Sequence, residues 1–131
     1  MKYLLDTSVA LWSVADPRRL NSRAKAALTE PSSILYISSA SVWEIAIKYA
    51  TGNLRLHTEP QTFITEMNDE LKSEPLAISH RHAVEAGGLP RHHDDVFDRM
   101  LIAQARVEGL VLLSADRMMK KYEVELLLCG Q

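Results

Sequence analysis

The chain has a single cysteine, Cys129, in 131 residues, which rules out an internal disulfide. No Cys or His residues with zinc-ligand spacing surround it, which argues against a structural zinc site. No apolar run approaches the roughly 20 residues that a membrane-spanning helix requires. The beginning of the chain turns acidic at Asp6, too soon for a signal peptide. From these absences we expect a cytoplasmic protein in a reducing compartment, with no membrane contact.

An excess of positive charge is also lacking. Fifteen Lys and Arg residues face seventeen Asp and Glu residues, for a formal net charge of -2, which is not the footprint of a protein that coats nucleic acid. Two local basic groups do exist, at residues 18–25 and at residues 117–121. The simplest interpretation of each is a solvated face. Carboxylates sequestered around divalent cations would, however, leave the remaining surface more positive than the count suggests.

Apolar residues are plentiful, and their spacing predicts the fold. A hydrophobic content of 47% over this length is enough for one core, so we predict a single domain over residues 1–131. Short apolar runs predict strands at residues 2–5, 34–37, 76–78, 110–114 and 124–128. Segments with apolar residues at helical spacing separate them. This alternation predicts an α/β fold, with a mainly parallel sheet of about five strands and helices on both faces.

The most informative helix is predicted between Asp95 and Gly109. Asp98 stands three, four and seven residues before apolar residues, so its carboxylate emerges from the stripe that should face the core. A buried, unpaired carboxylate is costly and needs a cation or strong donors. Arg99, the backbone N–H groups of the first turn and a bound metal are candidates. In the alternative interpretation, Asp94 or Asp95 caps the helix and Asp98 is a half-buried member of its first turn.

Glu44 lies in another predicted helix, which opens at residues 38–41 and ends at Gly52. Two structural explanations exist for it. Ser41 and Glu44 have the spacing of a capping box, and Lys48, four residues on, is a possible ion-pair partner. The surrounding turn is almost wholly apolar, however, and a lone charge in such a turn points equally to a functional role.

Four acids from remote segments are predicted to converge. Asp6 and Asp116 each follow a buried strand, Glu44 comes one turn into the helix after another strand, and Asp98 begins the helix before the Asp116 strand. The functional crevice of a parallel sheet lies outside the carboxyl ends of its strands. Clustered carboxylates either raise their pKa values or bind divalent metal, and oxygen ligands favour Mg²⁺ or Mn²⁺. Such metals suit phosphodiester hydrolysis because they activate water and neutralise phosphate charge.

The chain resembles a known family, the PIN-domain nucleases, along essentially its whole length. Within that family it resembles the VapC-type toxins of bacterial toxin-antitoxin pairs. The matching stretches are Tyr3–Ser8, Ser41–Lys48, Asp95–Ala105 and Leu113–Asp116. The resemblance implies that the acidic metal-binding quartet consists of Asp6, Glu44, Asp98 and Asp116. It also implies that Thr7 or Ser8 supports this shell. Two positions depart from the family pattern: Val96 stands where many relatives carry Pro, and Ser8 where close relatives often have His.

The resemblance further implies a Mg²⁺-dependent endoribonuclease, with Mn²⁺ able to substitute, that cuts RNA, often tRNA or rRNA, and arrests growth. A cognate antitoxin is expected to block the site, and the pair to contact operator DNA only through the antitoxin. We expect a homodimer. The predicted contacts to the RNA backbone are Arg117, Lys120 and Lys121, beside Asp116. For Arg99 we favour a structural partnership with the acids over a phosphate contact.

The sequence has features in common with three other classes of protein. His80, His82, His92 and His93 could suggest a zinc hydrolase, but residues one or two apart diverge from each other, so we interpret them as loop and surface residues. A phosphoaspartate enzyme or a receiver domain would also place an Asp after the first strand. The chain lacks a second Asp two residues beyond Asp6, and it lacks the paired acids that a receiver domain places there. The remaining alternative is an inactive PIN-like module that only binds a partner protein or RNA. A complete acidic quartet argues against it.

Overall fold

A computed structural model describes every residue from 1 to 131. The strands are β1 Lys2–Leu5, β2 Ile34–Ser38, β3 Glu74–Leu76, β4 Val111–Ser114 and β5 Leu126–Leu128. The α-helices are α1 Thr7–Ala15, α2 Ser22–Thr29, α3 Ser39–Ala50, α4 Pro60–Leu71, α5 His80–Gly88 and α6 Val96–Glu108. Two 3-10 helices cover Pro17–Arg19 and Arg117–Lys121. None of the helices combines the length and the apolar character needed to cross a membrane.

The five strands form one sheet in the order β3-β2-β1-β4-β5, and every neighbouring pair is parallel. The predicted parallel sheet of five strands is therefore confirmed. β1 lies at the centre, between β2 and β4. Because all five strands run the same way, the residues that follow β1, β2 and β4 emerge at the same edge of the sheet.

Side chains that alternate along the strands build a core on each face of the sheet. Leu4 and Leu112 are register partners and pack with α5 and α6, whereas Leu5 and Leu113, the next pair, pack with α1, α2 and α4. All four leucines are fully buried, and each fully buried leucine contributes about 1.5–3 kcal/mol. This strict alternation places helices on both faces of the sheet, as predicted.

Local signals set the ends of α6. The Asp95 side chain accepts hydrogen bonds from the N–H groups of Phe97 and Asp98, at 2.9 and 3.0 Å, and so caps the helix. Gly109 ends it in the left-handed conformation, at φ 67°. Glycine adopts this conformation without the steric cost that a Cβ atom brings. The predicted limits of this helix are confirmed.

The third strand is displaced from its predicted position. The sequence predicts it at residues 76–78, but the structure has it at Glu74–Leu76, with Pro75 in its middle. β3 pairs only with β2 and is an edge strand. A proline is tolerated there because one side of an edge strand makes no ladder hydrogen bonds. The last strand is also shorter than predicted, at Leu126–Leu128.

Candidate functional site

Asp6 follows β1 and is held at two points. One carboxylate oxygen accepts the N–H of Val9 at 2.8 Å and so caps α1, and the other accepts a short hydrogen bond from the Ser114 hydroxyl. The residue is only 5% exposed. Burial raises the pKa of Asp6 to about 6, the two hydrogen bonds oppose that rise, and the negative charges of Glu44 and Asp116 add to it. The folded chain therefore holds the Asp6 carboxylate rigidly, and no basic side chain forms an ion pair with it.

Glu44 is buried on α3 and is oriented by two partners. Oε1 lies 2.6 Å from the hydroxyl oxygen of Thr7, and Oε2 lies 2.8 Å from Nζ of Lys48. The Thr7 hydroxyl is also 3.0 Å from that of Ser41. Because Thr7 has one hydroxyl hydrogen, it donates to the carboxylate and accepts from Ser41. The ion pair raises the pKa of Lys48, chiefly through the hydrogen bond to Glu44.

The predicted capping box is wrong, whereas the predicted ion pair is confirmed. Ser38, not Ser41, caps α3, and its hydroxyl accepts the N–H of Ala40 at 3.0 Å. Glu44 therefore has no role in starting the helix, and its carboxylate binds Thr7 and Lys48 instead. Thr7, predicted to support the acids, does so through Glu44, whereas Ser8 is exposed and makes no side-chain hydrogen bond.

Asp98 lies in the first turn of α6, with 22% of its side chain exposed. Burial raises the pKa of Asp98 to about 7. Repulsion by the nearby charges adds to the rise, in the order Asp95, Asp6, Glu44 and Asp116. The carboxylates of the predicted quartet are thus close enough to oppose each other's ionisation.

Arg99 does not pair with the acids, which corrects the prediction. Its guanidinium is buried and donates to the carbonyl oxygens of Ala86, Leu89 and Pro90, at 3.1, 2.9 and 2.9 Å. These carbonyls lie at the end of α5 and in the segment just after it. The role of Arg99 is structural, as favoured, but it fastens α5 to α6 instead of balancing the charge of Asp98.

Asp116 follows β4 and caps the 3-10 helix Arg117–Lys121. Its carboxylate accepts the N–H of Met118 at 2.9 Å, and its own N–H donates to the Ser114 hydroxyl at 3.1 Å. The fully buried Ser114 thus links Asp6 to Asp116. Sequence reasoning did not single out Ser114 as a site residue, although it lies within the stretch that carries the family resemblance.

His93 is also part of the site, and its assignment to the surface was wrong. Only 14% of its side chain is exposed. The potential ligand atoms of His93, Asp98 and Asp116 all lie within 4.8 Å of one another. The buried Nε2 of His93 has no hydrogen-bond partner. A run of two histidines directly before the acids of α6 was the available signal, but the sequence does not indicate which of the two turns inward.

His82 was also predicted at the surface and is instead buried, at 2% exposure. Its ring forms a capping box with Ser79, and its Nε2 lies 2.7 Å from a carboxylate oxygen of Glu108. This contact joins the start of α5 to the end of α6. His82 therefore supports the helix pair and lies outside the acidic cluster.

The predicted basic residues are exposed on the 3-10 helix after Asp116. Arg117 and Lys120 line one surface depression together with Arg23, whereas Lys121 does not. Two basic groups that are far apart in the sequence therefore meet beside β5. Such a cluster can bind phosphates without reading sequence.

The donor set fits a divalent metal. A nearby cation would stabilise the charged form of the buried carboxylates, whose pKa values are raised. The buried Nε2 of His93 makes no hydrogen bond, so its lone pair is available to a cation. Mg²⁺ and Mn²⁺ accept carboxylate oxygens, and imidazole nitrogen suits the transition metals.

Comparison with known proteins identifies the fold. A family model described as the PIN domain matches residues 3–125. VapBC2 from Rickettsia felis, solved with a DNA fragment from its promoter, has a TM-score of 0.76 at 16% identity and covers 99% of this chain and 100% of that chain. DNA-bound VapBC from Salmonella typhimurium has a TM-score of 0.66 at 16% identity, over 97% of each chain.

FitAcB from Neisseria gonorrhoeae is similar too, with a TM-score of 0.63 at 20% identity over 95% of each chain. At such identities the likeness is one of fold. No curated protein matches the sequence.

Proposed function

Because the chain belongs to the PIN-domain family, whose members are generally nucleases, we propose that it is a VapC-type endoribonuclease, the toxin of a toxin-antitoxin pair. One observation carries the proposal. Four acids from four segments lie close together at the carboxyl edge of the sheet, and their charges raise the pKa values of two of them. The four are Asp6, Glu44, Asp98 and Asp116, and the two raised pKa values are those of Asp6 and Asp98. A cluster of this kind is costly for stability and becomes useful when a cation binds it.

We propose Mg²⁺ as the cofactor, with Mn²⁺ able to substitute. Bound at the acids, such an ion lowers the pKa of a water molecule and neutralises charge on the scissile phosphate. The chain supplies orientation. Asp6 is fixed by Val9 and Ser114, and Glu44 by Thr7 and Lys48, so neither carboxylate has to be ordered when the ion binds.

The proposed substrate is RNA, with tRNA or rRNA as the class that the family resemblance implies. Arg117 and Lys120, joined by Arg23, are the proposed contacts to the RNA backbone. Lys121, exposed on the same 3-10 helix, remains a further candidate. Contacts of this kind supply affinity and position the strand, whereas recognition of a particular RNA depends on its shape and on unstacked bases.

We further propose an antitoxin as the protein partner, with DNA contacted only through it. A toxin-antitoxin complex and DNA-bound VapBC complexes are among the similar structures, which supports this partner. Apolar side chains are exposed close to the acids. Trp43, 60% exposed, precedes Glu44 and packs edge-on against Phe97, and Val96, 66% exposed, precedes Phe97. Exposed apolar patches often mark protein interfaces. A homodimer, a single-domain organisation over residues 1–131 and a cytoplasmic location belong to the same proposal.

The test is RNA cleavage by the purified chain. Total RNA from the host is incubated with the protein and Mg²⁺ or Mn²⁺, with and without chelator, and the new ends are mapped. Asp6→Asn should abolish cleavage, because the rigid carboxylate loses its charge. Asp69→Asn, an exposed acid on α4, is the matched control and should cut like the unmodified chain.

Discrete, metal-dependent ends that are absent from the Asp6→Asn sample would establish the nuclease and name its substrate. If the folded chain, free of antitoxin, cuts nothing and binds no divalent metal by calorimetry, the alternative of an inactive PIN-like binding module replaces this proposal.

A further inference from the structure

The position of His93 is unusual for a loop residue. It lies between α5 and α6, two residues before the cap of α6, yet its imidazole turns inward to the acids. Nε2 lies 3.6 Å from a carboxylate oxygen of Asp98, which is too long for a hydrogen bond. A buried ring nitrogen without a partner is costly in a folded protein, so this atom requires an explanation.

The potential ligand atoms of His93, Asp98 and Asp116 lie close to the separations between ligands of one ion. With metal–ligand distances of about 2.1 Å, neighbouring ligands of an octahedral ion lie about 3 Å apart and opposite ligands about 4 Å apart. The ligand atoms of His93, Asp98 and Asp116 lie within 4.8 Å of one another, and one pair is at 3.6 Å. Small side-chain rotations are therefore enough to place all three around one ion.

Tyr122 holds the ring in this orientation. Its hydroxyl oxygen lies 3.0 Å from Nδ1 of His93 and accepts the backbone N–H of the same residue at 3.3 Å. Tyr122 is itself only 5% exposed. Metal-binding histidines commonly donate from the other ring nitrogen to an oxygen, which fixes the tautomer. If Nδ1–H donates to the phenol oxygen, the lone pair of Nε2 is left free to bind a cation.

We propose that His93 is a nitrogen ligand of the divalent-metal site, together with oxygens of Asp98 and Asp116. The centre is then a mixed nitrogen and oxygen site, not the all-carboxylate quartet that the family resemblance implies. This inference rests on the metal site of the proposed function. An imidazole ligand favours Mn²⁺ over Mg²⁺, because Mg²⁺ prefers oxygen ligands. The mixed site should therefore bind Mn²⁺ more tightly than Mg²⁺.

The experiment measures Mn²⁺ bound to the full-length chain after removal of metals with chelator. Pulsed electron paramagnetic resonance detects coupling between Mn²⁺ and a coordinated ¹⁴N nucleus, and titration of the free Mn²⁺ signal gives the Kd. The unmodified chain should show imidazole ¹⁴N coupling. His93→Gln should lose the coupling and bind Mn²⁺ at least about tenfold more weakly, by analogy with the loss of a partner that orients a ligand.

The neighbouring histidine provides the matched control. His92 is exposed and contacts the edge of the Tyr122 ring, with the two ring centroids 4.8 Å apart. His92→Gln should keep both the coupling and the affinity. Tyr122→Phe should keep the coupling but bind Mn²⁺ more weakly, because the ring of His93 loses its hydrogen-bond partner. Circular dichroism spectra must show that each variant is folded.

Two results would overturn the inference while leaving the nuclease intact. The first is bound Mn²⁺ without ¹⁴N coupling in a chain that still cuts RNA. The second is coupling that survives in His93→Gln. If the folded chain binds no Mn²⁺ at all, the inference also fails. If such a chain still cuts RNA in the presence of chelator, the nuclease function stands without a metal. If it cuts nothing, the proposed nuclease function fails together with the inference about His93.

Discussion

At the scale of single residues, the acids of the site oppose the stability of the metal-free chain. The pKa of Asp98 is raised from 3.8 to about 7, so the folded state holds a proton that the unfolded state releases across that interval. The free energy of unfolding therefore falls as the pH rises from about 4 to about 7, and Asp98 imposes no such loss below its unfolded pKa. Asp6 acts in the same direction up to about pH 6.

We predict that Asp98→Asn stabilises the chelator-treated protein at pH 8 and changes little at pH 4. The gain should be about 1–2 kcal/mol, which is well below the full conversion of the pKa shift because the side chain remains partly exposed to solvent. Thermal unfolding at the two pH values measures it. Asp94→Asn, an exposed acid with 89% of its side chain accessible, is the control and should have no such pH-dependent effect. An equal shift at both pH values would contradict the electrostatic explanation.

Metal binding should stabilise the unmodified chain more than it stabilises Asp98→Asn. An ion that binds only the folded state adds stability in proportion to its affinity. With saturating Mn²⁺ at pH 8, the melting temperature of the unmodified chain should therefore rise more than that of Asp98→Asn. The same thermal unfolding experiment, with and without Mn²⁺, measures the difference. Equal rises in the two proteins would show that Asp98 does not contribute to the affinity for the ion.

The sequence predicted the acids better than their partners. The prediction for Asp6 and Asp116 was correct, because each follows a buried strand. In a parallel sheet, residues that follow the strands lie at the carboxyl edge of the sheet. His93 and Ser114 were missed for different reasons. The inward turn of His93 depends on the path of a loop and on Tyr122, which is 29 residues away. Ser114 was already part of a predicted strand, and its contact with Asp6 joins residues 108 positions apart.

At the scale of secondary structure elements, α5 and α6 act as one unit beneath the site. Arg99 on α6 donates hydrogen bonds to carbonyl oxygens at the end of α5, and His82 on α5 contacts Glu108 at the end of α6. These contacts hold the two ends of the helix pair together. Because Asp98 is the residue before Arg99, the hydrogen bonds of Arg99 also fix the position of the Asp98 carboxylate.

We predict that Arg99→Met destabilises the chain by about 2–4 kcal/mol, because three carbonyl oxygens lose a charged donor that is buried with them. Denaturant unfolding monitored by circular dichroism measures the change. Arg91→Met, in the loop before α6, is the control, because 81% of that side chain is exposed and its stability should be nearly unchanged. A variant of Arg99 with normal stability and only weaker RNA binding would instead support a phosphate contact.

The displacement of β3 shows where element prediction from the sequence stops. The apolar residues 76–78 marked a strand, but the strand that pairs with β2 begins at Glu74 and includes Pro75. A pattern of apolar residues indicates which residues are buried. β3 is an exposed edge strand, and its register is set by pairing with β2 instead of by burial. The buried strands β1, β2 and β4, in which pattern and burial coincide, were placed within about one residue.

At the scale of the whole molecule, the net charge of -2 conceals a division of the surface. Four acids are gathered at one edge of the sheet, so the rest of the chain is more positive than the total indicates. Arg23 and the pair Arg117 and Lys120 come together beside β5. The net charge by itself therefore says little for or against a nucleic-acid partner, because it averages over this separation.

Salt dependence tests whether this basic surface binds RNA. We predict that Arg117→Gln with Lys120→Gln weakens RNA binding uniformly across sequences. The affinity should also lose about 1.4 units of slope in log K against log salt, or about 0.7 for each phosphate contact to a single strand. Binding is measured by fluorescence anisotropy in the Asp6→Asn background, so that the RNA stays intact. The matched control is the double variant Arg55→Gln with Arg81→Gln, which removes the same charge from two exposed positions elsewhere. If both double variants lower the slope equally, the RNA responds to net charge alone and no particular surface binds it.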